Sequence, residues 1–375
     1  MLSKKEREQV PSYDPRNFVL DDRELMTPGH VACPGCGATM CMRMALKALG
    51  PETVMIIPAC CWAVIPGAFP LTALRVPGMC VAFETAAISA TAVKAAYEMQ
   101  GKPDINVVAW AGDGGTFDIG LQSLSGAAER NDDLIYVCYD NEAYMNTGIQ
   151  RSGATPWGAW TTTTPVQHPK DVHKKNLLEI IAAHRIPYAA TATVAFPDDL
   201  ERKLKKAASI RGCKLIHIFS PCPPGQKIQE SQSIRLSRNI VETGVFPLVE
   251  VEHGRYWTLN HEPRFLPVEE YLGMQGRFRH LSSENVDAIK AHLKTEWKIL
   301  RAKLSLTEQF RADDALAELE SGLESRRKTI AKAARSRKKK PAKKARKPAK
   351  KARKPAKKAR KPAKKSRKPI RKRRR

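Results

Sequence analysis

The chain has 375 residues, enough for one large α/β domain or two small ones, and a formal charge of +27. That charge sits at one end: 30 Lys and Arg and no acid lie between Arg326 and Arg375, leaving 35 basic and 38 acidic residues before them, a net of −3. The body is thus slightly acidic and its isoelectric point is no guide to a nucleic-acid-binding surface, while no stretch reaches the roughly 18 uninterrupted apolar residues that a membrane helix needs.

Residues 1–26 read as a polar N-terminal arm able to wrap a neighbour; residues 1–10 are charged and have no apolar core, which predicts a cytoplasmic location. In such a reducing compartment the nine cysteines are thiols or metal ligands rather than disulfides. The turn Thr27-Pro28-Gly29-His30 leads into an ordered domain over 27–305. Apolar spacing predicts a helix over 38–49, a short strand over 54–57 and an Ala-rich helix over 85–99. A buried strand at 105–111, a helix at 118–129 and a second apolar strand at 134–139 follow. The segment 140–170 is rich in Thr, Gly and Pro and has little periodicity, and loops of that length inside a domain are usually functional. Strands at 189–194 and 214–219 flank a Lys-rich helix at 198–208. The alternation predicts an α/β fold, a doubly wound and mainly parallel sheet with helices on both faces. Residues 245–303 read as structural, with a charged amphipathic helix near 284–300; a helical linker follows at 306–325 and a tail at 326–375.

The strongest chemical signal is Gly112-Asp113-Gly114-Gly115 directly after the first buried strand, with Tyr139-Asp140-Asn141-Glu142-Ala143 at the end of the next. Ligand sites in open α/β sheets lie beyond the carboxyl ends of strands. A diphosphate needs a divalent cation held by hard oxygens, and Mg²⁺ prefers near-octahedral oxygen coordination. Asp113 offers a carboxylate, Asn141 an amide oxygen and Ala143 a main-chain carbonyl. Gly112, Gly114 and Gly115 let the backbone approach the phosphates, and the next helix points its positive N-terminus at them. Taken alone, Gly-Asp-Gly is merely a tight turn. The 28-residue interval from Asp113 to Asn141 resembles the signature of thiamine-diphosphate enzymes, which implies that cofactor and Mg²⁺.

Cys33-Pro34-Gly35-Cys36 sits on a turn before a helix, and by itself suits a redox dithiol, half a zinc site or half an iron–sulfur site. Cys60-Cys61 and Cys222 are the further cysteines available to a cluster. Cys41, Cys80, Cys138 and Cys213 lie in apolar contexts that predict packing. His30 reads either as a tuning group or as a structural partner of its turn, and Glu84 as a helix cap or a cofactor contact.

From His30 to Gly37, through Phe83-Glu84 and Gly112 to Gly120, along Tyr139 to Gly158, at Ser220 to Gly225 and more loosely from Gly273 to Leu281, the chain resembles the β subunits of 2-oxoacid:ferredoxin oxidoreductases. The likeness is closest to those acting on pyruvate. It implies a [4Fe–4S] cluster on Cys33, Cys36, Cys61 and Cys222, with the adjacent Cys60 leaving the third ligand open, and it puts Asn146 near the substrate. It further implies oxidative decarboxylation of pyruvate to acetyl-CoA and CO₂, with electrons leaving through the cluster to ferredoxin or flavodoxin. The implied partners are pyruvate, coenzyme A, an α subunit that supplies a Glu against the aminopyrimidine ring, and ferredoxin-like γ and δ subunits or domains. Without α the chain should be inactive. Because the cofactor motif is shared, 2-oxoisovalerate or 2-oxoglutarate remain alternative substrates.

The tail repeats Lys-Pro-Ala-Lys-Lys-Ala-Arg with a seven-residue period. Proline in every unit and like-charge repulsion predict a disordered chain rather than a coiled coil. It resembles linker-histone tails, which implies non-specific binding of nucleic acid or another polyanion by counterion release. The alternatives are a solvated tail without a partner, or a nucleic-acid-binding protein whose enzyme-like domain is only a scaffold.

Overall fold

Unbroken apolar strand segments must be covered on both faces, and the chain meets that demand with a largely parallel sheet between two helical layers. The structure, a computed structural model, describes residues 22–68 and 70–338. Among them, β1 (Thr53–Pro58), β2 (Gly78–Val81), β3 (Asn106–Gly112), β4 (Leu134–Asp140), β5 (Tyr188–Thr193), β6 (Cys213–Phe219), β7 (Val249–Glu252) and β8 (Tyr256–Leu259) form one sheet in the order β2-β1-β3-β4-β6-β5-β7-β8. The first six strands pair in parallel, while β7 and β8 add an antiparallel hairpin at one edge.

Strand alternation divides the core. Val107, Ala109 and Ala111 of β3 and Leu134, Tyr136 and Cys138 of β4 face one layer, with α2 (Ala86–Met99), α3 (Leu121–Arg130) and α4 (Leu177–Ala182). Val108, Trp110, Ile135, Val137 and Tyr139 face the other, with α1 (Gly37–Leu49) and α5 (Pro197–Ser209). After a short α6 (Pro223–Gln226), a third cluster lies around α7 (Ser233–Glu242) and α8 (Glu269–Leu272). The strand order reverses between β1 and β3, the type of switch point at which α/β sheets open a crevice beyond their carboxyl ends. Cys60-Cys61 follows β1 there and Asp113 follows β3.

Several expectations change. The predicted arm is tied to the domain near its end, because Met26 bridges Leu74 and the Arg75 N–H donates to the Leu25 carbonyl at 2.9 Å; residues 1–21 lie outside the described residues. The helix expected from 118 begins only at Leu121, because a widened turn over Gly114–Ile119 intervenes. Cys80 is exposed rather than packed, since β2 is an edge strand with an open side. The C-terminal helix, α9 (Ser283–Lys338), is far longer than expected and takes in the proposed linker and the residues assigned to the tail up to 338. No proline interrupts it before Pro341. It stays bonded to the rest of the domain on both sides of residue 305: Trp297 donates to the Gly244 carbonyl at 2.8 Å, Thr307 accepts from the Trp257 N–H at 2.8 Å, and Asp314 meets the Tyr256 hydroxyl. Residues 339–375 lie outside the described residues. No helix among the described residues is long and apolar enough to cross a membrane.

Candidate functional site

Parallel register aligns β3 and β4 so that Gly112 stands opposite Tyr139. The two predicted motif halves therefore leave adjacent strands at the same end of the sheet. Asp113 is 1 % exposed and Asn141 5 % exposed. The Asn141 side-chain amide stands 2.9 Å from Asp113 Oδ1 and 2.9 Å from the Ala143 carbonyl oxygen. With its nitrogen turned inward, the amide donates to both. With its oxygen inward, three oxygens face one another, an arrangement that a cation stabilises. Octahedral Mg²⁺ with oxygens at 2.0–2.1 Å separates adjacent ligands by about 2.9 Å, so the donor set fits that ion in chemistry and spacing.

The electrostatics around this trio point the same way. Burial pushes the Asp113 carboxyl well above the ordinary carboxylate range, and the nearby Asp140 adds to the effect. Ser152 Oγ donates to Asp113 Oδ2 at 2.6 Å and holds the other oxygen, Oδ1, toward Asn141. The glycines serve close approach: a Cβ at Gly114 would overlap the Tyr144 ring, and one at Gly115 would lie 3.2 Å from Phe83. Beyond them the widened turn closes with the Gly120 N–H on the Gly115 carbonyl at 2.9 Å. Such wide turns recur at functional sites.

Behind the oxygen trio lies a buried charge cluster that sequence reasoning missed. Asp140 Oδ2 is held by Lys174 Nζ at 2.5 Å and His217 Nε2 at 2.7 Å. Burial alone would raise the Asp140 carboxyl, but the Lys174 charge and the His217 hydrogen bond outweigh it and hold it at about 2. Burial pulls the Lys174 ammonium down, yet Asp140 and Glu142 keep it charged, above the ordinary lysine value. Glu142 pairs with Lys174 and with the buried Arg277. A signal for part of this existed, since Asp140 and Glu142 flank Asn141 in the motif and Arg277 lies in the segment from Gly273 to Leu281.

The cysteine-bearing turns are tied together by their backbones. Cys33 to Cys36 form a tight turn in which the Cys36 N–H donates to the Cys33 carbonyl at 3.1 Å. The Gly37 N–H then donates to the Pro221 carbonyl at 2.9 Å, placing this turn against Cys222. A side chain at Gly37 would overlap Pro221. The Val31 N–H donates to the Ile65 carbonyl at 3.0 Å and joins the same segment to the turn Cys61–Ala63. Burial pushes the Cys61 thiol up to about 12, with Cys60, Cys222 and Cys36 adding to the shift. Cys222 also rises to about 12 through burial, with Cys36 and Cys33 near enough to contribute. Cys60 differs, because its thiol is buried beside the Tyr139 hydroxyl and the backbone of Trp62, Ala63 and Gly112. Among the described residues, no group of three or more His, Cys, Asp or Glu is arranged to hold a single metal ion.

Asn146 is exposed, at the tip of a loop closed by a bridge between Tyr144 and Gln150. Its neighbour Met145 packs on Gly225, just after Cys222, and so spans from the Asn141 loop to the cysteine region. His30 accepts from the Ala32 N–H at 3.4 Å, a structural contact within its turn. Glu84 is half-buried, and the helix behind it starts at Ala86 with Thr85 at its N-cap and no side-chain cap hydrogen bond.

Residues 62–218 match the family model for the thiamine pyrophosphate enzyme, C-terminal TPP binding domain. The chain is 46% identical over 303 residues to the ketoisovalerate oxidoreductase subunit VorB of Pyrococcus abyssi, covering 78% of this chain and 97% of that one. It is 47% identical over 287 residues to the pyruvate synthase subunit PorB of Methanothermobacter marburgensis, covering 75% and 99%. To the PorB of Pyrococcus horikoshii it is 42% identical over 318 residues, covering 76% and 96%.

Proposed function

The chain belongs to the thiamine-diphosphate-binding β subunits of the 2-oxoacid:ferredoxin oxidoreductases, and from that premise we propose that it serves a pyruvate:ferredoxin oxidoreductase. The reaction would convert pyruvate to acetyl-CoA and CO₂ in the cytoplasm and send electrons through a [4Fe–4S] cluster to ferredoxin or flavodoxin. The observation that carries the cofactor assignment is the convergence of Asp113 Oδ1 and the Ala143 carbonyl oxygen on the Asn141 amide, each at 2.9 Å. Thiamine diphosphate, when bound, supplies the carbanion-stabilising chemistry that decarboxylation of a 2-oxoacid needs. The chain's own share is to hold and orient. Asp113, the Asn141 amide oxygen and the Ala143 carbonyl take Mg²⁺, while Gly112, Gly114 and Gly115 bring backbone against the diphosphate. Asn146, on the loop next to Met145, is the proposed donor to negative charge developing on the substrate. Cys33, Cys36, Cys61 and Cys222 are the proposed cluster ligands. A four-iron cluster binds each thiolate through a different iron and spreads them wider than a single ion does. Cys61 is preferred to Cys60 because the 25-residue step from Cys36 suits the family pattern and its thiol lies near enough to Cys222 and Cys36 for both to shift it. The catalytic unit in this reading includes an α subunit and ferredoxin-like γ and δ subunits or domains.

The VorB relatives support a second reading, with 2-oxoisovalerate as the substrate, because they match as closely as the PorB relatives do. Relatives matched over 97% and 99% of their own length use only 75–78% of this chain. The basic tail is therefore proposed as an addition that binds nucleic acid or another polyanion, apart from catalysis. Purifying the assembled enzyme anaerobically and assaying pyruvate, 2-oxoisovalerate and 2-oxoglutarate tests the substrate. A preference for pyruvate supports the assignment, and a preference for 2-oxoisovalerate replaces it. A complex lacking both iron and thiamine diphosphate would reject the oxidoreductase mechanism altogether.

A further inference from the structure

The loop carrying two of the three oxygen donors is held in an unfavourable backbone conformation. Glu142 lies between Asn141 and Ala143 with φ at 71°, a left-handed region that side-chain-bearing residues rarely occupy. Such strain persists only where surrounding contacts over-determine it, and Glu142 is tied at every polar group. Its N–H donates to Asp140 Oδ1 at 2.9 Å, and its carbonyl accepts from Thr155 Oγ1 at 2.7 Å. One carboxylate oxygen meets Lys174 Nζ at 3.1 Å, and the other accepts from Arg277 Nη2.

Arg277 is itself fixed. It is 2 % exposed, and its Nε donates to Gln275 Oε1 at 2.9 Å. Its carbonyl accepts from the Trp160 N–H at 3.0 Å, and the neighbouring Gly276 N–H donates to the Lys227 carbonyl at 3.1 Å. An arginine whose backbone segment is tied to Trp160 and Lys227, and whose Nε is held by Gln275, thus grips the strained residue through its carboxylate.

We propose that Arg277, acting through Glu142, fixes the spacing of the Asp113, Asn141 and Ala143 oxygens and so makes this site select Mg²⁺ over Ca²⁺. The inference rests on reading the trio as the cation site of the bound diphosphate. Oxygens 2.9 Å apart suit an ion with ligands at 2.0–2.1 Å. Ca²⁺, with ligands at 2.3–2.6 Å, needs adjacent oxygens about 3.3–3.7 Å apart in the same geometry and tolerates an irregular cage. Two of the three oxygens belong to residues flanking Glu142, so their separation follows its backbone dihedrals. Without the clamp, the bonds to Asp140, Thr155 and Lys174 remain but the carboxylate is no longer fixed on both sides, so Glu142 relaxes from the left-handed region; the trio then widens, at the expense of the small ion and to the benefit of the large one. Arg277 is a positioning residue in this scheme and touches neither metal nor cofactor. Any change in local charge acts equally on two divalent ions, so the ratio of their effects isolates the geometry.

The test uses the assembled oxidoreductase, stripped of divalent cations by chelation, with thiamine diphosphate binding followed calorimetrically as Mg²⁺ or Ca²⁺ is titrated. Arg277→Lys keeps the charge and loses the planar fork. A second variant, Glu142→Gln with Arg277→Met, removes both charges and leaves neither buried alone. We expect the ratio of half-saturating Ca²⁺ to half-saturating Mg²⁺ to fall at least tenfold in each variant. A ratio within twofold of the unaltered enzyme, with only the thermal midpoint lowered, would assign Arg277 a structural role and overturn the inference. If the unaltered enzyme binds thiamine diphosphate without needing any divalent ion, the cation-site reading itself fails. Intact Mg²⁺ dependence with unchanged variant ratios removes only the inference.

Discussion

Asp133, just before β4 at the amino end of the sheet, provides a test of the fold's electrostatics that is independent of the functional site. Its Oδ1 lies 2.5 Å from Lys214 Nζ, and its Oδ2 lies 3.0 Å from Lys94 Nζ and 2.9 Å from Arg211 Nη1. The two lysine side chains are only 3 % and 7 % exposed. Lys94 also donates to the carbonyls of Pro103 and Ile105 at 2.6 and 3.0 Å, so Lys214 depends most on the carboxylate. Asp133→Asn keeps the shape and deletes the charge. Breaking a buried pair by removing one partner costs roughly 3–5 kcal/mol, which at roughly 2–4 °C per kcal/mol lowers the apparent thermal midpoint by about 6–20 °C at pH 7. Removing both partners, with Asp133→Asn and Lys214→Met together, should restore most of that loss.

The pH dependence has a definite sign. Burial would raise the Asp133 carboxyl, but Lys214, Arg211 and Lys94 outweigh it and hold it at about 2, below the unfolded value of about 3.9. Its stabilisation is therefore complete above about pH 4 and disappears as pH falls through about 2. The assay is calorimetry of the assembled enzyme at a fixed scan rate between pH 5 and 8, a window in which the deficit of Asp133→Asn should stay constant. A midpoint unchanged by Asp133→Asn, or a double variant no better than the single one, would refute the reasoning.

Iron content distinguishes the two adjacent cysteines: Cys61→Ser should lose the cluster's iron and visible absorbance, whereas Cys60→Ser should retain both. The opposite outcome would exchange their assignments. Removing residues 339–375, which hold 23 Lys and Arg, should abolish retention on duplex DNA at low salt. The full-length enzyme's affinity should fall steeply as salt rises, and an affinity indifferent to salt would reject the electrostatic origin.

Much of the site was legible because it depends on local pattern. Two apolar strands followed by Gly-Asp-Gly and by Asp-Asn-Glu-Ala can place their ends together in only a few ways, and the parallel ladder supplies the alignment. The features that were not legible depend on distant partners. Glu142 and Arg277 are separated by 135 positions; each lies in a segment that the resemblance marks, but local pattern does not pair the two. Glu250 and Glu252 lend β7 a charged look, but Glu250 is buried against Arg202 and Lys206 of α5. The edge strand β2 has only four residues, too few for a period to show. The late start of α3 reflects the close approach of Tyr144 and Phe83 to the glycines rather than helix propensity. The length of α9 reflects the absence of a breaker before Pro341, which a search for apolar periodicity does not register.

The central claim is that the loops after β3 and β4 bind thiamine diphosphate through a single divalent cation. Its most direct test is calorimetric titration of the metal-stripped, assembled enzyme with thiamine diphosphate, with and without Mg²⁺, for the unaltered chain and for Asp113→Asn. The account predicts tight binding only with Mg²⁺ in the unaltered enzyme, weakened at least a hundredfold by Asp113→Asn. Equal binding by both proteins, or binding indifferent to Mg²⁺, would contradict it.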